Sequence, residues 1–241
     1  MEPYYYQTLS KAEQSSYQAM QAGLQAFAPS FPVPLLENRA LTDVFMKLRL
    51  DCPQLFYAGT FQYRYYPDSR NAELIPAYLF EKGKLKEHQK ALQARVEKLV
   101  RPVARCSDEE KLLYIHDFIC KNVRYDKLKK QYSHEIIGVL GHGVGVCEGI
   151  AKAVKILCDA LQIQCIIALA ENNPEKGVKY RHAWNVVRLD KKYYHLDCTF
   201  DLSLGNPEEI RYDYFLLSDK QIFRDHERLV WRVPACEDAD R

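Results

Sequence analysis

The chain has 241 residues, of which 47% are hydrophobic and 27% are charged, a composition typical of an ordinary globular protein. At about 100–200 residues per domain, this length corresponds to one large domain or two modest ones. Lys and Arg total 34 against 32 Asp and Glu, and a net charge of +2 argues against the concentrated basic surface needed by a nucleic-acid partner or an anionic membrane.

The apolar runs fall short of the roughly 18 residues that suggest a membrane span. The stretch MEPYYYQTLSKAEQSS has neither the basic nor the apolar segment of a signal peptide, so we expect a cytoplasmic protein with no membrane partner. The eight cysteines form no C-x-x-C pair, which argues against zinc ribbons and redox pairs. We expect most of them to be small buried hydrophobes, and we expect neither a metal nor a cofactor.

Residues 1–105 predict an N-terminal extension of helices and one hairpin. Apolar spacing, interrupting prolines and two aromatic stretches around a Pro-Asp-Ser turn give the elements. They are a helix at 11–27, a helix at 41–48, a hairpin at 60–66 and 73–80, and a helix at 85–99. Pro76 is expected to confine its strand to a sheet edge, because proline lacks the N–H that a second neighbour would need.

Residues 106–241 predict two helices followed by an antiparallel sheet. Ser107 and Glu110 have the spacing of a capping box that opens the first helix, and a loop from 125 to 146 leads to the second. In the second helix we expect Ile150, Val154, Leu157, Cys158 and Leu161 to face inward and Lys152, Lys155, Asp159 and Gln162 to face outward. Strand candidates follow at 165–170, 182–189, 193–198 and 211–217, and Ser218 caps a last short helix. Their short connections exclude parallel crossovers and predict an α+β fold.

Cys147 stands at the beginning of this second helix, behind glycines at 143 and 145. A helix N-terminus presents unpaired N–H groups and about half a positive charge, which favour ionisation of a thiol. The dipole supplies only about 0.3–2 kcal/mol, so full activation needs a cationic partner, most often a histidine. On this stretch alone, a buried cysteine in a glycine turn is an equally good interpretation.

His182 and Asp197 are the candidate partners, because they lie on consecutive strand candidates joined by a short turn at residues 190–191. With a two-residue loop, Leu189 opposes Lys192, and Asp197 is the diagonal neighbour of His182 on one sheet face. A three-residue loop would put the carboxylate on the opposite face. In the first register the carboxylate can hold one imidazole nitrogen while the other faces the helix terminus, as in a nucleophile, base and orienting-acid triad.

Three stretches resemble the transglutaminase-like superfamily: GVGVCEG at Gly143–Gly149, RHAWNVV at Arg181–Val187 and YYHLDCTFD at 193–201. The resemblance covers roughly residues 107–217. It implies a papain-like α+β core in which the cysteine helix packs on an antiparallel sheet. It also implies that Cys147 is the nucleophile, His182 the general base and acid, and Asp197 the orienting residue. Relatives commonly carry Pro or Val after the aspartate; this chain has Cys198, which strand alternation turns away from Asp197 into the core.

Four other side chains are secondary candidates near the site. Tyr125 is a candidate oxyanion donor or substrate wall, although an aromatic packed at a helix end explains it as well. Trp184 either shelters the site or fills the core. His142 and His195 are alternative bases, the first close to the cysteine in sequence and the second on the predicted face of Asp197.

These residues indicate a thiol-dependent acyl-transfer enzyme acting on peptide or amide bonds of a protein or peptide substrate. Water as acceptor gives a cysteine peptidase or amidase, which we favour because no calcium loop of the D-x-D-x-D-G type is present. A lysine amine gives a protein-glutamine gamma-glutamyltransferase. A catalytically inactive binding or scaffold protein on the same fold is the alternative from another class. An arylamine-acetyltransferase-like enzyme is less favoured, because its Arg-Gly-Gly-x-Cys approach is missing. The sequence leaves the oligomeric state open.

Overall fold

The computed structural model describes residues 2–206 and 208–237. The chain divides into two compact units, an N-terminal unit of residues 2–90 and a C-terminal unit from Ala91 onward. Within the described ranges, no helix combines the length and the apolarity that crossing a membrane requires.

The N-terminal unit combines helices with a three-stranded antiparallel sheet in the order β1-β3-β2. Its elements are α1 (Tyr4–Gln7), α2 (Lys11–Gln25), β1 (Phe31–Pro34), α3 (Asn38–Asp51), β2 (Ala58–Tyr65), β3 (Asn71–Tyr78) and the beginning of α4 (Lys82–Val100). The predicted helices and the predicted hairpin are confirmed, and the sequence analysis missed α1 and β1. A capping box of Ser10 and Glu13 opens α2, and Tyr17, Met20 and Leu24 form its buried face.

The prediction that Pro76 confines its strand to a sheet edge is wrong, because β3 is the central strand. Pro76 lies opposite Phe61 of β2. On its other side, β3 pairs with β1 only from Asn71 to Leu74. The strand therefore has one described neighbour at the proline, and the ring is accommodated there as it would be in an edge strand.

The C-terminal unit contains the four-stranded antiparallel sheet β6-β7-β8-β9 and a small parallel pair, β4-β5. Besides the end of α4, its elements are α5 (Asp108–Asn122), β4 (Arg124–Tyr125), β5 (Val144–Gly145), α6 (Cys147–Ala160), β6 (Cys165–Ala170), β7 (His182–Leu189), β8 (Lys192–Leu196), α7 (Cys198–Leu204), β9 (Phe215–Leu217) and α8 (Asp219–Ile222). The α+β prediction is confirmed, and so are the capping box that opens α5 and the short helix α8 that begins after Ser218. The segment expected to be a loop contains β4, β5 and short helical turns at Gln131–His134 and Ile137–Gly141.

Helix α6 packs on strands β6 and β7 on one side and on the turns of residues 131–141 on the other. Its predicted apolar face is buried. The prediction that Lys152 and Lys155 face outward is wrong, since both are buried. The ammonium of Lys152 lies 2.9 Å from Glu135 and 2.7 Å from Glu148. These two carboxylates balance the positive charge of the ammonium group, which is removed from water because residues 131–141 pack over this side of the helix.

Candidate active site

Cys147 is the first residue of α6 and is partly exposed. The backbone N–H of Val146 donates to the carbonyl of Ser133 at 3.0 Å, so the turn at 131–134 is joined to the start of the helix. A Cβ on Gly149 would lie 2.2 Å from that same carbonyl oxygen, which only glycine avoids. Gly143 has a φ of +64°, a left-handed conformation that favours glycine. Close backbone packing therefore fixes the position of the thiol.

The strand register that the sequence predicted between β7 and β8 is confirmed. Leu189 opposes Lys192 across a two-residue turn, and Asp190 and Lys191 both have positive φ, as a tight hairpin requires. The ladder ends when Asn185 pairs with Leu196. Beyond that pair the chain leaves the strand and starts α7.

Asp197 is the N-cap of α7 rather than a strand residue. Its Oδ1 accepts the backbone N–H groups of Thr199 at 2.8 Å and Phe200 at 3.1 Å. Cys198 is buried, as expected, but it begins a helix, so strand alternation is not the reason for its burial. Because the cap uses only Oδ1, Oδ2 remains available for other partners. The two backbone hydrogen bonds fix the orientation of the carboxylate at the start of the helix.

His182 joins the thiol to the carboxylate. Its Nε2 lies 2.6 Å from Oδ2 of Asp197, and its ring is close enough to the thiol of Cys147 for the thiol to influence its protonation. Burial alone would lower the pKa of His182, but the charge and hydrogen bond of Asp197, followed by those of Cys147, outweigh it and raise the pKa to about 10. Burial would raise the pKa of Asp197, but the neighbouring imidazoles hold it well below its usual range. The arrangement stabilises an imidazolium between a thiol and a carboxylate.

A second imidazole, His226, reaches the same carboxylate, and the sequence analysis missed it. Its Nε2 lies 2.9 Å from Oδ2 of Asp197, and its Nδ1 lies 2.7 Å from Oδ1 of Asp225. The side chain is 1% exposed. His226 lies beyond α8, in a segment with no regular apolar spacing and no recognisable motif, so the sequence carries no signal that would have found it.

Tyr125 lies beside the backbone of Cys147. It ends β4, opposite Gly145 of β5, and its hydroxyl lies near the backbone N–H of Cys147. Burial and then the charge of Cys147 raise the pKa of Tyr125 to about 12, so the hydroxyl keeps its proton at neutral pH. The side chain is 37% exposed, which leaves it within reach of a bound molecule.

Trp184 is buried and lies between two of the histidines. Its ring stacks on His182, with 5.7 Å between ring centroids and an interplanar angle of 18°. Its indole N–H donates to Nδ1 of His195 at 2.9 Å, and Nε2 of His195 lies 2.8 Å from Asp219. Both ring nitrogens of His195 are thus engaged. The other alternative base, His142, is exposed and packs beside Tyr132.

In the part of the chain that the structure describes, two groups of side chains bring metal-ligating atoms within 4.8 Å of one another: His182, Asp197 and His226, and His195, Asp219 and Cys236. In the second group, the indole of Trp184 can only donate, so Nδ1 of His195 accepts and the ring proton lies on Nε2. That nitrogen has no lone pair for a metal. In the first group the 2.6 and 2.9 Å contacts are hydrogen bonds between the three side chains. The residues therefore fit proton sharing better than metal binding.

The sequence model of the transglutaminase-like superfamily matches residues 93–198, a segment that includes Cys147, His182 and Asp197. A search among curated proteins finds no match.

Two solved structures are similar to part of the chain. One is described as a TGase, with 13% identity and a TM-score of 0.38 over 59% of this chain. The other is described as a candidate cysteine protease from Cytophaga hutchinsonii, with 15% identity and a TM-score of 0.37 over 58% of this chain. This chain covers 44% and 61% of those chains, less than two thirds of each. Neither score establishes a common overall fold. By its sequence, the segment 93–198 of this chain belongs to the transglutaminase-like superfamily.

Proposed function

We propose that residues 106–241 form a thiol-dependent acyl-transfer enzyme acting on peptide or amide bonds, with Cys147 as nucleophile, His182 as general base and acid, and Asp197 as the orienting residue. The observation that carries this proposal is the position of His182, whose ring is hydrogen-bonded to the buried carboxylate of Asp197 and lies beside the thiol of Cys147. Such a series of nucleophile, base and orienting acid is the arrangement that acyl transfer by a thiol uses.

The chemistry follows from which imidazole nitrogen is engaged. Nε2 of His182 is held by Asp197, so Nδ1 is the nitrogen that serves the thiol. Because its pKa is raised, His182 already carries a proton on Nδ1 at neutral pH, and the sulfur of Cys147 attacks the carbonyl carbon as the thiolate of this ion pair, which leaves the carbonyl oxygen negative. The imidazolium then returns the proton to the departing amine, and a thioester remains on the sulfur. Water attacks the thioester and gives a proton to Nδ1, the C–S bond breaks, and the acid is released with the thiolate and imidazolium restored.

The negative oxygen of the tetrahedral intermediate needs donors that are already in place. We propose the backbone N–H of Cys147 and the hydroxyl of Tyr125, which lie together in the unliganded protein. Trp184, stacked on the ring of His182, holds the imidazole plane and shelters that side of the site. The substrate is a protein or peptide, and water is the acceptor, which makes the protein a cysteine peptidase or amidase.

Alkylation of the thiols tests the proposal. Iodoacetamide at pH 6 is expected to modify Cys147 much faster than Cys106, the matched control, because both side chains are partly exposed and only Cys147 has a histidine partner. The variant His182→Ala is expected to abolish the difference. Equal rates for the two thiols in the wild-type protein would contradict the proposal and support a binding or scaffold protein.

The acceptor is tested separately on a peptide mixture with and without a fluorescent primary amine, with Cys147→Ala as the control. Hydrolysis produces new chain ends, or acidic side chains from amides, whether or not the amine is present. Incorporation of the amine without hydrolysis would instead assign a protein-glutamine gamma-glutamyltransferase.

A further inference from the structure

The carboxylate of Asp197 is saturated with donors. Oδ1 accepts two backbone N–H groups at the start of α7, from Thr199 and Phe200. Oδ2 lies 2.6 Å from Nε2 of His182 and 2.9 Å from Nε2 of His226. A carboxylate has about four lone-pair sites, so these contacts use its full capacity. The helix cap alone fixes one oxygen, and the two imidazoles together fix the other.

His226 is built into this position from both sides. Its Nδ1 faces Oδ1 of Asp225 at 2.7 Å, and the hydroxyl of Tyr214 donates to the other oxygen of Asp225. An ionised carboxylate only accepts hydrogen bonds, so the contact with Asp197 requires a proton on Nε2 of His226. Charge-assisted hydrogen bonds of this kind are about twice as strong as neutral ones.

We infer that His226 is a positioning residue for the proposed reaction, a second imidazole whose Nε2–H holds Oδ2 of Asp197 in line with His182. The inference rests on the proposed function only for the purpose of this alignment, because the contacts themselves do not depend on a substrate. Without His226, the carboxylate would keep its cap but would share Oδ2 with one imidazole alone. The ring of His182 would then be oriented by a carboxylate with freedom to turn.

The charges around the two rings agree with this role. The hydrogen bond and charge of His226 act with those of His182 to lower the pKa of Asp197, against the effect of burial. Loss of His226 should therefore raise the pKa of Asp197. The pH below which Cys147 loses its reactivity should then also be higher. The titratable groups that face His226 are Asp197, Asp225, His182, His195 and Tyr214.

Two substitutions separate positioning from packing. His226→Phe keeps a ring among Trp184 and Phe200, its present neighbours at 4.8 and 4.5 Å, but has no donor. His226→Gln keeps a donor close to the position of Nε2. His116→Gln is the matched control, because His116 is fully buried and pairs with a different carboxylate, Asp201, at 3.0 Å.

The readout is the pH profile for alkylation of Cys147 by iodoacetamide, together with thermal unfolding. His226→Phe is expected to slow alkylation at pH 6 about tenfold, because it loses a hydrogen bond to an ionised carboxylate. The pH below which alkylation of Cys147 becomes slow is expected to rise. His226→Gln is expected to recover most of the rate, and His116→Gln to leave rate and profile unchanged. An unchanged rate and profile in His226→Phe, or an equal loss in His226→Gln, would overturn the inference.

If the phenylalanine variant does not fold, the histidine ¹⁵N spectrum of the full-length wild-type protein decides. Nε2 of His226 is expected to carry a proton, because it faces the carboxylate of Asp197. An unprotonated Nε2 would overturn the inference. A wild-type protein whose Cys147 reacts no faster than Cys106 would instead refute the proposed function, and the spectrum of His226 would still decide the inference by itself.

Discussion

The raised pKa of His182 makes a quantitative prediction about how folding stability depends on pH. The ordinary value of 6.5 rises to about 10 in the folded protein, in a side chain that is 19% exposed. At 1.36 kcal/mol per pKa unit, this shift corresponds to about 5 kcal/mol of stabilisation from proton binding. This figure is the part of the free energy of unfolding that depends on the proton of His182, and it already includes the cost of burying the imidazole ring.

The sign follows from the folded pKa being the higher one. The folded state binds the proton more tightly than the unfolded chain does, so the stabilisation is fully present below pH 6.5. It is lost as the pH rises from 6.5 to about 10. Across the interval from pH 6.5 to 9.5 the expected loss is about 4 kcal/mol.

The perturbation that isolates this contribution is His182→Gln, whose amide keeps a donor but does not titrate. Urea unfolding of the wild-type and variant proteins is measured through the same pH range, so that groups titrating in both proteins cancel in the difference. Cys147→Ala is a second control. Asp197 and Cys147 both raise the pKa of His182, and Cys147 has the smaller effect, so this variant should narrow the pH range over which stability is lost without abolishing the loss. The ring proton signals of His182 give its pKa directly.

Parallel stability curves for the wild-type protein and His182→Gln would refute this reasoning. So would a ring that titrates near 6.5. Either result would mean that the hydrogen bonds of Asp197 and Cys147 do not outweigh the cost of burying the imidazolium.

Three further predictions concern neighbouring residues. Gly149→Ala should cost about 1–3 kcal/mol of stability and slow alkylation of the thiol, because its Cβ would meet a backbone oxygen at 2.2 Å; Gly83→Ala, with no atom within 4 Å, should be neutral or stabilising. In urea unfolding, Lys152→Met should cost about 3 kcal/mol or more, whereas Lys121→Met, at a side chain 52% exposed, should stay within about 0.5 kcal/mol. Tyr125→Phe should lower kcat about tenfold with little change in KM if the hydroxyl stabilises the oxyanion, and an unchanged kcat would leave it only a wall of the site.

The sequence by itself determined the local structure around the candidate site. Apolar spacing and the capping box of Ser107 placed the helices, and strand periodicity placed the sheet. The two-residue turn at 190–191 fixed the register of β7 against β8, since a shift of one residue would have moved every side chain to the other face. These features depend on neighbours within a few residues, so they can be read along the chain.

The tertiary structure alone decided the rest. Lys152 belongs to the polar side of an amphipathic helix, and only the packing of residues 131–141 against α6 reveals that this side is buried too. Asp197 was expected in a strand, but it caps a helix, because β8 ends one residue earlier. His226 comes 29 residues after Asp197 in the chain, and its place on the carboxylate depends on how the segment after α8 folds back. Such contacts are set by the three-dimensional packing of distant segments, for which local spacing carries no information.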